Sequence, residues 1–203
     1  MLIAMSTAGI SEPHELTIEE WAALDEDVEG ELVDGQLVPE EEVGGVHELV
    51  VSWLTGVLFA WALPRGASVS GSNAKLALDA RRGRKPDLSV MFAGRKIPRH
   101  GAIHLPPDIA VEVLSERPRD VRRDRLEKMI EYARFGVRYY WIVDPYTRVV
   151  HIYELGIDGR YTVAAAGGDG AIEVVPGCEG LALDLGALWR WVDERIDEPG
   201  EPR

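Results

Sequence analysis

The sequence predicts a mixed α/β domain built on one central mixed sheet, and three observations predict it. Apolar spacing changes from helical to strand-like after Pro64 and Gly66, and returns to helical near Asp120. A strand, helix, strand succession runs from Ile109 to Val143, and such a crossover makes parallel neighbours, whereas the short turn at Asp34-Gly35 makes antiparallel ones. The 203 residues, 46% of them hydrophobic, are enough for a single core. One domain is expected over 17–196, with a flexible N-terminus at 1–16 and a flexible tail at 197–203.

The elements follow in order. Thr17-Ile18-Glu19-Glu20 has the capping-box pattern, in which Thr17 accepts from the third amide and Glu20 reaches back, so a short helix to about Leu24 follows. Asp34-Gly35 between two short β-prone runs signals a two-residue hairpin, because both turn positions favour positive φ. Val46 to Leu63 reads as a long, mostly buried helix ended by Pro64 and Gly66. Three strands come next, Lys75 to Leu78, Asp87 to Phe92 and Ile109 to Leu114. A charged helix from Asp120 to Phe135 puts Leu126, Met129, Ile130 and Ala133 on its core face, and Gly136 closes it. Tyr139 to Val143 is a strand, Val149 to Tyr153 and Tyr161 to Ala164 are an antiparallel pair, and Leu185 to Ile196 is an amphipathic helix. The six tryptophans fall mostly in these elements and read as packing residues.

Composition removes several classes of function. A single cysteine, Cys178, allows no intrachain disulfide and no cysteine-based zinc cluster, and fits a reducing compartment. Leu49 to Leu63 is too short an apolar run for a bilayer span, and Met1 to Glu15 lacks the parts of a signal peptide, so a soluble cytoplasmic protein without a membrane partner is expected. Net charge is −13, which disfavours nucleic acid as a partner, yet the charge is unevenly spread. Residues 1–64 carry 14 acidic and no basic side chains, while 81–138 carry 15 basic and 8 acidic. That basic middle is equally a phosphate-attracting surface or a solvated face balanced by acidic neighbours.

No glycine-rich phosphate loop and no nucleophile elbow is present. His100 and His104 have zinc-like spacing, but Gly101 and Pro106-Pro107 make the segment a loop. The informative residues are acidic. Asp87 opens a strand after Pro86, and Glu112 interrupts the apolar run Ala110 to Leu114. An ionised carboxylate there needs a partner, and a salt bridge to a nearby arginine answers that need as well as a cation does. If the two strands are neighbours, both carboxylates can converge on one hard cation.

Lys85-Pro86-Asp87-Leu88-Ser89-Val90, Val111-Glu112-Val113-Leu114-Ser115, Asp124-Arg125-Leu126-Glu127-Lys128 with Tyr132, Gly136-Val137 and Tyr140 to Pro145 together resemble the Uma family of putative restriction endonucleases, within the PD-(D/E)xK or restriction-endonuclease-like superfamily. Glu31 to Gly35 and the helix carrying His47 resemble it too, so the likeness spans about Thr17 to Trp191. The resemblance implies a restriction-endonuclease-like core in which Asp87 and Glu112 hold Mg2+ (or Mn2+), Glu31 approaches the metal, and a lysine orients the attacking water. Leu114 stands where the superfamily usually places that lysine, and the family's substitute maps onto Lys128. At about 100° per residue Lys128 is off the Leu126 stripe and belongs to a second one with Val121, Arg125 and Tyr132.

The function implied is hydrolysis of DNA phosphodiester bonds by a Mg2+-dependent endonuclease, with catalytic residues Asp87, Glu112 and Lys128. Arg81, Arg82, Arg84, Lys85, Arg122 and Arg123 are the candidates for holding the nucleic-acid backbone. The competing expectation, prompted by the −13 charge and the displaced lysine, is a non-catalytic interaction protein that keeps the nuclease fold. Exposed aromatic residues leave a homodimer open.

Overall fold

The computed structural model describes residues 14–25, 27–39, 43–116 and 123–197. The capping box forms as written, with the Thr17 side chain accepting from the Glu20 amide and Glu20 from the Thr17 amide, and it starts helix α1 (Ile18–Ala22). Strands β1 (Glu31–Val33) and β2 (Gln36–Val38) pair antiparallel around Asp34 at φ 51° and Gly35 at φ 80°, the backbone that Asp-Gly supplies most cheaply. Helix α2 (Gly45–Ala62) runs into a 3-10 turn at Leu63–Arg65.

Six strands make the main sheet, in the order β10-β9-β8-β7-β6-β3: β3 (Ser68–Gly71), β6 (Leu88–Met91), β7 (Ile109–Val113), β8 (Tyr139–Asp144), β9 (Val149–Leu155) and β10 (Tyr161–Gly167). Only β7 and β8 are parallel, joined by the crossover that ends in helix α3 (Met129–Phe135); the other pairs are antiparallel. A second sheet has the order β2-β1-β5-β4, with β4 (Leu76–Asp79) and β5 (Arg82–Arg84). Strands β11 (Ala171–Ile172) and β12 (Leu183–Asp184) pair just before helix α4 (Leu185–Asp193).

Three expectations need correction. The strand expected at Lys75 to Leu78 does not join the main sheet; it pairs with Arg82–Arg84 in the small one, and Ser68–Gly71 takes the edge beside β6. Sequence patterning misses Ser68–Gly71 and Arg82–Arg84 because they are short and polar, so their register comes from neighbours rather than from alternation. Helix α2 is not mostly buried. His47, Val50, Leu54, Leu58 and Trp61 face the sheet, but Phe59 is 52% and Leu63 63% exposed, since a helix resting on one sheet covers only one stripe. By length and composition Gly45–Arg65 is also the one stretch among the described residues that could cross a membrane.

The third correction concerns the crossover helix. Leu126 and Ile130 are 55% and 53% exposed, whereas Lys128, Glu131 and Tyr132 are buried. Its first part, Arg123–Lys128, is a π-helix, whose wider turn breaks the spacing on which the Leu126 stripe was drawn. Residues 120–122 of the expected helix lie outside the described residues.

The main core fills the space between the sheet, α2 and α4, around Leu54, Leu88, Val111, Trp141 and Leu188. Ala110, Leu114, Tyr132, Tyr140 and Ile142 pack on the opposite face under α3, where Leu76 of the small sheet joins them. A third cluster locks α1 onto the small sheet through Trp21 and Leu32. Trp21, Trp61, Trp141 and Trp189 are buried core residues, and Trp53 and Trp191 pack partly against the core.

Candidate active site

Strand register sets the two acidic residues opposite each other along the backbone. In the β6–β7 pair Leu88 stands opposite Val111, so Asp87, one step before β6, stands opposite Glu112. Their side chains meet different elements: Glu112 is held by Lys128 and Tyr132 of the crossover helix, and Asp87 by His47 of α2, which packs on the other face of the sheet. Glu112 is 3% exposed, while the Asp87 side chain is 18% exposed and so lies nearer solvent. Asp87 Oδ2 accepts from the Val113 amide at 2.7 Å and lies 3.3 Å from His47 Nε2.

Lys128 and Tyr132, one turn apart, reach down from the π-to-α junction onto Glu112. The Lys128 amine is 2.8 Å from Glu112 Oε2, and the Tyr132 hydroxyl donates to Oε1 at 2.8 Å. Lys128 is itself 3% exposed and lies 3.6 Å from Glu31 Oε1. Lys128 and Tyr132 of the expected second stripe therefore face inward. A lysine in this place costs desolvation, which carboxylates on two sides offset.

Glu31 is placed by β1 and fixed by β5. Arg84 Nη1 donates to its Oε2 at 2.8 Å, and the Lys85 amide donates to its Oε1 at 3.0 Å. The same guanidinium grips Glu131 of α3 with two hydrogen bonds, at 2.6 and 3.0 Å. Arg84 is fully buried. It stitches the small sheet to α3, so it is a brace of the site and not, as the sequence suggested, a residue that holds a phosphate backbone.

Local electrostatics follow from this packing. Burial and the adjacent Glu112 charge raise the Tyr132 pKa well above the ordinary phenol value, which keeps its hydroxyl a donor. Burial works against a charge on His47, but the hydrogen bond and charge of Asp87, with Glu48, prevail and raise its pKa. Arg84 is held charged, burial being outweighed by Glu131 and Glu31.

The remaining sequence candidates are dispersed. Arg81 is paired with Glu15 and donates to the Asp34 carbonyl; Arg82 is paired with Asp34 and lies 3.3 Å from Glu131. Arg82 is thereby largely committed. Lys85 is half-buried beside the site. Arg122 and the side chain of Arg123 lie outside the described residues. His100 and His104 sit exposed in their loop. Among the described residues no group of three or more His, Cys, Asp and Glu is arranged to hold a metal ion by protein atoms alone.

Sequence reasoning left out of the candidate site four residues that belong to its surroundings: His47, Tyr132, Glu131 and Arg84 in its bracing role. His47 carried a readable signal, since it lies three and seven residues before Val50 and Leu54 and so shares their buried stripe. Glu131 carried none, because a glutamate on a charged helix looks solvated until Arg84 is placed beneath it.

Comparison with known proteins agrees with this architecture. A crystal structure of a "putative nuclease belonging to DUF820" from Anabaena variabilis ATCC 29413 superposes with a TM-score of 0.68 at 20% identity, covering 87% of this chain and 99% of that one. At that identity the likeness concerns the fold. No curated protein matches the sequence. The family model described as "Putative restriction endonuclease" matches residues 16–186. Most of the chain, including Glu31, Asp87, Glu112 and Lys128, lies inside that match, and the protein therefore belongs to the Uma2 family of restriction-endonuclease-like proteins.

Proposed function

We propose that the protein is a Mg2+-dependent endonuclease that hydrolyses DNA phosphodiester bonds, with Asp87, Glu112 and Lys128 as its catalytic residues. The observation that carries this reading is the opposition of Asp87 and Glu112 across β6 and β7 with the Lys128 amine 2.8 Å from Glu112. Carboxylate oxygens are the donors a hard cation takes: Asp87 and Glu112 would hold it, Glu31 would approach it, and water would complete the shell. Asp87 Oδ1 accepts no hydrogen bond among the described residues, which leaves an oxygen for that purpose. When bound, Mg2+ (or Mn2+) neutralises charge on the phosphate and acidifies a water ligand.

The chain's own groups supply the rest. Lys128 places positive charge beside Glu112, where an attacking water would need orienting. Tyr132 fixes the rotamer of Glu112 from the other oxygen. Val113 and His47 fix Asp87. Arg81 and Lys85 remain the described candidates for backbone phosphates, with Arg122 and Arg123 beside them in the proposal.

One observation favours the second reading, a non-catalytic interaction protein: both Glu112 oxygens already have partners, as in a purely structural buried ion pair. Wild type, Asp87→Asn and Glu112→Gln, assayed on single- and double-stranded DNA with Mg2+, Mn2+ or chelator, separate the two. Cleavage that needs the cation and drops by about 100-fold or more in both variants supports the nuclease. Absence of both cleavage and calorimetric cation binding in wild type transfers the assignment to the interaction protein.

A further inference from the structure

Many of the described arginines are held by carboxylates, but two cations on one loop are not. Lys96 and Arg99, in the connection between β6 and β7, are exposed and make no ion pair or hydrogen bond among the described residues. Beside them opens a cleft of about 450 Å³, lined by Ser70, Ser72 and Asn73 on one wall and by Ile97, Pro98 and Gly101 on the other. The chain carries 35 acidic residues, yet none falls within 66–78 or 88–107, the two segments that supply these walls. A protein of net charge −13 thus keeps one groove free of carboxylates along both sides, which is where an anionic chain is least repelled.

Both walls are fixed before any ligand arrives. At the root of the loop Arg95 Nη1 donates to Asp108 Oδ1 at 2.8 Å, and the Phe92 amide donates to Asp108 Oδ2 at 2.7 Å. Its far end is sewn to β4, the Ile103 amide donating to the Lys75 carbonyl at 2.7 Å and the Ala77 amide to the Ile103 carbonyl at 2.9 Å. The facing turn is closed by the Ala74 amide on the Gly71 carbonyl at 3.0 Å. Binding there orders little that is loose. Lys75 also lines the cleft, but its amine is committed to the carbonyls of Trp21, Ala22 and Leu24. Hydroxyl and amide groups remain on that wall, the neutral donors that phosphate oxygens commonly take. The groove also leads to the candidate active site: Gly71 pairs with Leu88, and one step further along both chains Ser72 comes level with Asp87.

We propose that this groove is the track for a nucleic-acid backbone, with Ser70, Ser72 and Asn73 donating to phosphate oxygens from one wall and Lys96 and Arg99 supplying positive charge from the other. The ligand's identity rests on the nuclease reading, since a strand cut at Asp87 must continue away from it. Contacts of this kind position a strand without reading its bases, so binding is indifferent to sequence and falls as salt rises.

Fluorescence anisotropy of labelled duplex and single-stranded DNA, titrated with the full chain in chelator at ~50–300 mM salt, reads binding without cutting. On duplex, Lys96→Ala with Arg99→Ala should lower the slope of log K against log salt by about 2, because each lost phosphate contact removes about 0.9. Lys96→Glu with Arg99→Glu should weaken binding by at least about 10-fold, and Ser72→Glu, on the facing wall, by about 5-fold. All three side chains are exposed, so far-UV circular dichroism and Tm should hold. Arg160→Glu with Arg190→Glu, exposed cations outside the groove, makes the same change in net charge and should leave binding within about twofold. Binding of neither DNA form, an unchanged slope in the alanine pair, indifference to Ser72→Glu, or an equal loss in the Arg160 and Arg190 control would each overturn the inference. The nuclease reading fails separately. Groove-dependent binding without any Mg2+-dependent cutting keeps the track and removes the enzyme, whereas cutting that Lys96→Glu with Arg99→Glu leaves untouched keeps the enzyme and removes the track.

Discussion

Glu112 shows how one residue can be legible by type and illegible by partner. Its interruption of an apolar strand demands compensation, and the structure supplies Lys128 and Tyr132 from the far end of the crossover. Removing one member of such a pair strands the other. Lys128→Met should therefore destabilise the metal-free protein by about 3–5 kcal/mol, and Glu112→Gln added to it should recover part of that loss. Urea titrations of the four proteins in chelator measure both steps, and simple additivity would remove the pairing from the account. His151, on β9 in register with Ile142, gives a pH prediction. Burial first and Arg125 second lower its pKa below the free imidazole value of 6.5. The unfolded chain then binds more protons than the folded one below about pH 6.5, so the His151 contribution is lost as pH falls from there through the folded pKa. His151→Gln should flatten that part of the profile, read as the difference in urea midpoint from wild type between pH 5 and 8.

Among the elements, the crossover helix departs furthest from its sequence pattern. Leu126 and Ile130 of its apolar stripe face water, with Met129 and Ala133 half-buried, while a lysine, a glutamate and a tyrosine face inward, because Arg84, Glu31 and Glu112 wait beneath it. Leu126→Gln should accordingly change stability by less than about 0.5 kcal/mol, whereas Tyr132→Ala should cost about 3–5 kcal/mol. Thermal denaturation compares them, and a large loss at Leu126 would restore the stripe. Strand β5 has the opposite character, short and polar but tightly placed. A Cβ at Gly83 would lie 2.3 Å from the Trp21 ring, so Gly83→Ala must push α1 off the small sheet. A cost of about 1–3 kcal/mol is expected, together with a change in Trp fluorescence, and a neutral substitution would mean that α1 is not seated there.

At the scale of the molecule, folding closes the charge segregation written along the chain. The acidic hairpin meets the basic β5 directly, with Glu31 on Arg84 and Asp34 on Arg82. Much of the basic middle is thus spent internally: Arg95 pairs with Asp108, Arg125 with Asp144 and Arg138 with Glu154. The phosphate-attracting surface is correspondingly smaller than the count of residues 81–138 suggests. A cation bound by the folded state alone stabilises the whole molecule by mass action. Mg2+ at ten times its dissociation constant should add about 1.4 kcal/mol to wild type and raise its Tm, with Asp87→Asn indifferent; an equal rise in both would mean binding elsewhere.

The sequence alone determined the hairpin at Asp34-Gly35, the capping box at Thr17, the parallel pair with its helical crossover, and the prominence of Asp87 and Glu112. All rest on local signals, namely turn chemistry, capping spacing, strand composition and a charge in an apolar run, and local signals are written within a few residues. Tertiary structure alone decided that Lys75 to Leu78 leaves the main sheet, that Ser68–Gly71 enters it, that Arg84 braces the site from within, and which side of the crossover helix faces inward. Those outcomes depend on partners tens of residues away: Arg84 and Glu131 are separated by 47 positions, Lys128 and Glu112 by 16. A charged side chain looks solvated until its counter-charge is brought against it, and only the packed molecule brings the two together.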